Sequence, residues 1–440
     1  MTTNRKRRSK EVSMEKFIIN GGEPLHGCMI PSGNKNAALP MLASCLLTTE
    51  PIVLHNVPNI TDIQTMRSLL ESLGVQIKEL ASPSTLELHA KDIHPADLDP
   101  DLCRNIRASI LLAGPILARF GELHLPPPGG DVIGRRRVDT HILALDNLGA
   151  RTEYNGTFHF TAPKLIGADI LLDEASVTAT ENTIMASVLA KGETIIRNAA
   201  SEPHIQELCR LLNSLGANIK NIGSNTLHIT GVKGLSGGEF SIGPDYLEVV
   251  SYIGAAVVTG GDIRIKNAGV EYLNMINLVM KRLGVNIEID GNDVLVGPNQ
   301  QLVIEPDLGN AIPEISVMPW PSFPTDLMSI AIVIATQSTG SVLFHDWMYP
   351  SRMYFTDKLV SMGAQIVLCD PHRCIVQGPT KLRPENLDSP DIRAGMALVL
   401  AALSADGKSV IRNIAQIDRG YESIDVKLKA LGADINRVND

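Results

Sequence analysis

Residues 73–77 read LGVQI. The phrase returns as LGART at 148–152, LGANI at 215–219, LGVNI at 283–287, MGAQI at 362–366 and LGADI at 431–435. Its glycines, Gly74, Gly149, Gly216, Gly284, Gly363 and Gly432, lie 75, 67, 68, 79 and 69 residues apart. Self-similarity at a steady period decides architecture before any single motif does. Solenoid and propeller repeats run to roughly 20–50 residues, so this period is too long for them. It is long enough for a small α/β unit, and six such units fill nearly the whole 440-residue chain.

Each copy extends outward from the phrase in the same order. An apolar, helix-like run comes first, at 36–47, 107–120, 182–190, 248–259, 326–336 and 393–404. A short strand pattern ending on a polar turn follows: PIVLHN, GELHLP, ETIIRN, DIRIKN, SVLFHD and KSVIRN. A second, amphipathic helix then leads into the glycine, as in residues 62–73. The glycine suits a left-handed helix cap, and strand patterns such as NTLHITG and NDVLVG close the unit. The unit therefore predicts helix, strand, helix, strand, strand, with sheet on one side and helices on the other.

Two lobes of three copies each follow. LSGGEFSIG, residues 235–243, is a linker candidate between copies three and four, and the turn 31–34 is a second crossing. The strand pattern at 16–19 is then free to pair with the far lobe. The expected boundaries are a disordered basic tail at 1–13, one lobe of 14–34 plus 244–440 with copies four to six, and one lobe of 35–243 with copies one to three.

The totals agree with a globular protein with a large core: 44% hydrophobic and 20% charged residues. A net charge of -9 disfavours a general nucleic-acid role, and 4% aromatic residues offer few platforms for stacking bases. Cysteines 28, 45, 103, 209, 369 and 374 form no C-x-x-C pair, which argues against a zinc or redox site and suits a reducing cytosol. Cys369 and Cys374 flank a hairpin-like turn. The start, MTTNRKRRSKEVS, lacks the apolar stretch of a signal peptide, and its run Arg5 to Arg8 reads as a solvated tail. No segment is long and apolar enough for a membrane span. The oligomeric state is not legible.

Aligning the copies on their glycines exposes slots taken over by charge. The starts of the first helices hold Lys35-Asn36, Arg107, Glu181-Asn182, Glu248, Asp326 and Arg393. The turns after the strands hold Asp62, Asp131 with Arg135 to Arg137, His204, Tyr272, Arg352 and Arg419. A helix N-terminus repels cations unless an anion sits between them and the amides. Lys or Arg at three such starts, with basic turns nearby, predicts a convergent site for an anionic ligand. PPPGGDVIGRRRVDTH, residues 126–141, is a Pro/Gly loop with three consecutive arginines. Arginine makes paired hydrogen bonds to phosphate and carboxylate, so the loop predicts a lid over a phosphorylated substrate. There is no P-loop, no nucleophile-elbow serine and no metal-ligand spacing of histidines.

SGNKNAALP (32–40), RASILLAGP (107–115), PGGDVIGRRRVDTH (128–141), FPTD (323–326) and IDRGYE (417–422) together resemble the enolpyruvyl transferases, over about residues 14–438. The resemblance implies a two-lobed inside-out α/β barrel, pseudo-three-fold in each lobe, with a cleft that closes on substrate. It implies transfer of enolpyruvyl from phosphoenolpyruvate to the 3-hydroxyl of UDP-N-acetylglucosamine in the cytoplasm, with no metal or organic cofactor. Lys35 and Asn36 fall on the phosphoenolpyruvate-contacting pair. Arg136, Arg393 and Arg419 match the family's phosphate and carboxylate ligands, Arg107 and Arg352 further cleft arginines, and Asp326 the carboxylate that takes the hydroxyl proton. Val138, Asp139, Ser176, Val177 and Met348 match positions on the nucleotide side. Asp131 occupies the loop position where most members carry a reactive cysteine, which implies a proton donor to the enol carbon and poor alkylation by fosfomycin.

Departures gather on the acceptor side. Arg137 replaces a proline that packs on uracil, Glu174 stands where basic or neutral residues are usual, and MYPSR at 348–352 replaces a VFENR-like stretch. They leave open an acceptor such as UMP, or a catalytically silent UDP-sugar-binding regulator. The intact set Lys35, Asp326, Arg393 and Arg419 argues against the silent reading.

Overall fold

The computed structural model describes residues 15–439 apart from 95–97, 132 and 135. The basic tail 1–13 and Arg135 of the arginine run lie outside the described residues.

All six phrase glycines end helices in the left-handed region, with φ between 82° and 103°. Each builds the same two-bond stop. In the first copy the Gly74 N–H donates to the Glu71 carbonyl and the Val75 N–H to Leu70; in the last, Gly432 donates to Lys429 and Ala433 to Leu428. These bonds satisfy carbonyls that a helix end otherwise leaves unpaired.

The first copy runs Lys35–Ser44, Ile52–His55, Thr61–Ser72, Gln76–Glu79 and Leu86–His89, the expected helix, strand, helix, strand, strand. The described residues form six sheets, one per copy. The last two strands pair antiparallel, and the middle strand joins them antiparallel on one edge. On its other edge the middle strand takes a parallel strand from elsewhere in the chain. Gly238–Ser241 pairs with Ile52–His55, Asp169–Leu171 with Glu193–Arg197, and Asn386–Asp388 with Gly407–Arg412. An asparagine in left-handed geometry locks each junction: Asn56, Asn198 and Asn413 donate to the carbonyls of Ile242, Leu172 and Ser389 at 2.7–3.0 Å. Among the described residues five of the six sheets gain a parallel strand from elsewhere in this way, and the sheet of Glu122–Leu125, Phe158–Thr161 and Arg151–Tyr154 does not.

The first helices occupy the centre. Every residue of Tyr246–Val257, Met328–Thr336 and Ile392–Leu403 is buried, and these three helices pack on one another. A helix apolar all round has to be enclosed. The second helices are amphipathic: Thr61–Ser72 buries Ile63, Met66, Leu69 and Leu70 on one face. Helices inside and sheets outside make the inside-out arrangement. Buried apolar side chains form two clusters, one from Ala37 to Ile242, the other from Phe17 to Met29 together with Tyr246 to Ile435. The strand Glu15–Gly21 sits in the second body, between Gly407–Arg412 and Asp434–Asn439.

Two expectations need correction. The stretch 235–243 is not a free linker, because Gly238–Ser241 is a sheet strand. The third first-helix begins at Val177, with Ser176 as its N-cap, so Glu181 and Asn182 lie mid-helix. Asn182 joins the central helices: it accepts from the Gly114 N–H at 2.9 Å and donates to the Ile110 carbonyl at 2.7 Å.

Candidate active site

The N-terminal ends of the central helices face a cleft between the two bodies. Asn34 caps Lys35–Ser44, accepting from the Asn36 and Ala37 amides, and so fixes Lys35 in the first turn. The Lys35 amide donates to Asp245 of the other body at 3.4 Å. Asp391 caps Ile392–Ser404 in the same way and sets Arg393 at its start. Arg107 opens the short helix Arg107–Leu112, and Asp326 sits in the turn Thr325–Leu327.

Lys35, Asn36, Arg107, Asp131, Arg136, Val177, Asp326, Met348, Arg352, Arg393 and Arg419 all line one cavity. Val138, Asp139 and Ser176 do not line it. Ser176 serves as a helix cap, Val138 packs on the first core, and Asp139 starts Asp139–Asn147. Arg137 is exposed beside them, bonded to Asp139 and Asp173 at 3.2 and 3.3 Å, while its carbonyl accepts from Arg107.

Two charge clusters organise the cavity. In the first, Asp62 bridges Lys35 Nζ at 2.6 Å and Arg419 Nε at 2.9 Å. Arg419 comes from the second body and also donates to Asp131 of the loop, so one guanidinium ties loop and bodies together. Burial pushes the Asp62 carboxyl up, but Lys35 and Arg419 outweigh it and hold it below the usual range. In the second, Asp326 lies between Arg352 at 3.1 Å and Arg393 at 3.2 Å. Burial again works against its charge, and Arg393 followed by Arg352 overcomes it, so Asp326 is a carboxylate at neutral pH. The anions that offset cations at these helix starts are thus partly the protein's own aspartates.

Six basic side chains face three aspartates and two glutamates in this lining, and burial favours the neutral form of both Glu181 and Glu202, which leaves an excess of positive charge that suits an anionic ligand. Burial and neighbouring Arg136 bring Arg107 down to about 10, a further sign of crowded positive charge. Among the described residues, Arg352 Nε, Arg393 Nη1, Glu181 Oε1, Glu202 Oε2 and both His204 ring nitrogens are buried without hydrogen-bond partners. Buried polar groups are rarely left unpaired, and all of these belong to cavity-lining residues.

The loop closes the cleft. The Ser351 N–H donates to the Ile133 carbonyl at 3.4 Å, and a Cβ on Gly134 would meet Pro350 Cδ at 2.7 Å, so only glycine lets the loop lie this close. On the opposite side Ser201 donates to the Trp320 carbonyl at 3.2 Å and Arg210 to the Tyr272 hydroxyl at 3.0 Å.

The sequence did not single out Glu202, Tyr246, Tyr349 or Trp320 as cavity residues, and it noted Asp62 and His204 without a role. Burial lifts Glu202 to about 7 and lowers His204 to about 4, keeping the imidazole neutral. Glu181, buried beside Glu202, is pushed well above the carboxylate range.

This fold and this arginine-lined cleft define a class. The chain belongs to the enolpyruvyl transferase family: the family profile described as EPSP synthase (3-phosphoshikimate 1-carboxyvinyltransferase) matches residues 19–428. The UDP-N-acetylglucosamine 1-carboxyvinyltransferase of Bradyrhizobium diazoefficiens is 55% identical over 96% of this chain and 98% of its own. The enzyme of the same name from Treponema denticola is 51% identical over 96% of this chain and 99% of its own. The solved structure of the enolpyruvyl transferase NikO from Streptomyces tendae superposes with a TM-score of 0.87 at 23% identity, covering 97% of this chain and all of that one. EPSP synthase from Acinetobacter baumannii superposes with a TM-score of 0.76 at 18% identity over the same share. At these identities the two structures speak for the fold.

Proposed function

We propose that this chain transfers the enolpyruvyl group of phosphoenolpyruvate to the 3-hydroxyl of UDP-N-acetylglucosamine and releases phosphate, the first committed step of peptidoglycan synthesis, in the cytoplasm. The observation that carries the reading is Asp326, a carboxylate set between Arg352 and Arg393 and facing a loop that Arg419 holds through Asp131. Full-length relatives named for this activity support the acceptor.

Lys35, Arg136, Arg393 and Arg419 hold the phosphate and carboxylate of phosphoenolpyruvate, with Asn36 beside them. Asp131 protonates the methylene carbon, and the neighbouring carbon becomes electrophilic. To donate, Asp131 has to exchange its contact with Arg419 for a proton, and a bound phosphate that engages the guanidinium releases it. Asp326 accepts the hydroxyl proton as the sugar oxygen adds. Loss of phosphate, with a proton of the same methyl carbon passing to the Asp131 carboxylate, restores the double bond and completes the transfer. Arginines on both sides of Asp326 make it a weak base in the free enzyme; substrate phosphate drawing on those arginines raises its basicity when it is needed. Arg107, Val177, Met348 and Arg352 face the sugar nucleotide, with Val138, Asp139 and Ser176 at its outer end. The bodies 14–34 with 244–440 and 35–243 act as two domains that close over both substrates.

Phosphate release from phosphoenolpyruvate tests the reading, run with UDP-N-acetylglucosamine, with UMP and with no nucleotide. Release that depends on UDP-N-acetylglucosamine supports it. Release with UMP alone replaces the acceptor, and no release under any condition removes the enzymatic reading.

A further inference from the structure

A second cluster of chemistry-bearing side chains lies outside the cleft, on the outer face of the sheet formed by Glu122–Leu125, Phe158–Thr161 and Arg151–Tyr154. Strand alternation creates it. Leu123 and Leu125 point into the core, as do Phe158 and Phe160, which turns Glu122, His124 and His159 outward. The register sets His124 directly opposite His159, and Glu153 of the third strand directly opposite His159 on its other side. Facing pairs on adjacent antiparallel strands have Cβ atoms about 5 Å apart, within reach of a common ion.

We propose that Glu122, His124 and His159 form a binding site for a divalent late-transition-metal ion, with Zn²⁺ as its natural probe. One nitrogen or oxygen from each of the three lies within 4.8 Å of the others. The His159 Nε2 to Glu122 Oε1 distance is 2.8 Å and the His124 Nε2 to Glu122 Oε1 distance 3.8 Å. Zinc bonds of about 2.0–2.1 Å in tetrahedral geometry separate ligand atoms by about 3.3 Å, between those two values. The side chains are 35–62% exposed, so modest rotations bring them to that spacing without disturbing the core. Two imidazoles and a carboxylate are borderline ligands that favour zinc, nickel or copper over magnesium or calcium. The imidazole rings stand edge to face at 4.3 Å, a contact that restrains both. Glu122–Leu125 runs directly into the loop 126–138, so an ion here would brace the base of the lid.

Calorimetric titration of the full chain with zinc chloride, in a buffer that does not chelate, is expected to give one saturable site per chain. The double variant His124→Gln with His159→Gln should weaken it by at least about tenfold, since even losing a group behind a ligand costs 10–100-fold. His55→Gln, which breaks the two-ligand surface pair His55 with Glu239, should leave it unchanged. Zinc should also protect His124 and His159 of the unaltered protein from diethyl pyrocarbonate, read by peptide mass spectrometry, so the test does not depend on the variants folding. No saturable binding, equal binding by the double variant, or binding lost only when the exposed Cys28 and Cys369 become serine would overturn the proposal.

Discussion

Replacing Asp326 by asparagine keeps the side chain's shape and removes the one charge between Arg352 and Arg393. Two consequences follow, and they separate catalysis from stability. A general base contributes about 10²–10⁴ in rate, so kcat should fall by that factor, or about 3–5 kcal/mol of barrier. The variant also leaves two guanidiniums facing each other, 5% and 7% exposed, without their shared counter-ion. Breaking a buried pair costs about 3–5 kcal/mol, and the 29% exposure of Asp326 places this case at the lower end. For a lobe of about 200 residues each kcal/mol shifts melting by roughly 2–4 °C, so the free variant should melt roughly 6–12 °C lower. Phosphoenolpyruvate supplies new negative charge to Arg393, one of the two, so it should raise the variant's melting temperature more than the wild type's. Stopped phosphate-release assays and thermal melts with and without phosphoenolpyruvate read both effects. A kcat within about threefold of wild type would refute the base role. Equal ligand-induced shifts in the two proteins would refute the charge argument.

Other expectations are independent of that one. Burial lifts Glu202 from an ordinary 4.5 to about 7, so folding favours its neutral form. Its contribution is full below about pH 4.3 and is lost as pH rises through about 7. Glu202→Gln should therefore gain stability relative to wild type across that window, by up to about 3 kcal/mol in urea unfolding; parallel pH profiles would contradict it. Gly74→Ala and Gly216→Ala both force a side chain into left-handed geometry, at about 1–2 kcal/mol each. At Gly74 the Cβ also meets the Asp92 carbonyl at 2.7 Å while at Gly216 nothing lies within 4 Å, so Gly74→Ala should be the more damaging in denaturant titration. Asp131→Cys should become covalently alkylated by fosfomycin while the wild type stays unmodified, as intact-mass spectra would report. Asp131→Asn should change the pH dependence of phosphate release; an unaltered profile would remove Asp131 as proton donor.

Much of the fold was legible because it is written six times. LGVQI and its relatives mark identical helix stops, and the pairing of Glu15–Gly21 with the far lobe follows from the crossing at 31–34. Gly238–Ser241 escaped because LSGGEFSIG has linker composition, and its strand character comes from a partner about 185 residues away in sequence, a tertiary override of propensity. Glu181 was misplaced because the apolar run of its helix begins after the true cap at Ser176. In the site, Lys35, Arg393 and Asp326 stood out as charges where apolar helices begin. Asp62 did not, because its meaning depends on Arg419, 357 residues further along. Glu202 and His204 look like ordinary turn residues until burial strips them of water. The three outer residues Val138, Asp139 and Ser176 rested on motif matching alone, and their side chains serve capping, packing and ion pairing beside the cavity.

Product analysis of a single reaction mixture tests the central claim most directly. Phosphoenolpyruvate and UDP-N-acetylglucosamine are incubated with the purified chain, and the nucleotide pool is examined by mass spectrometry and proton NMR while phosphate is counted. The account predicts one phosphate released for each UDP-N-acetylglucosamine that gains an enolpyruvyl ether at its 3-hydroxyl. Phosphate without a nucleotide adduct, or an unchanged nucleotide pool under turnover conditions, would contradict it.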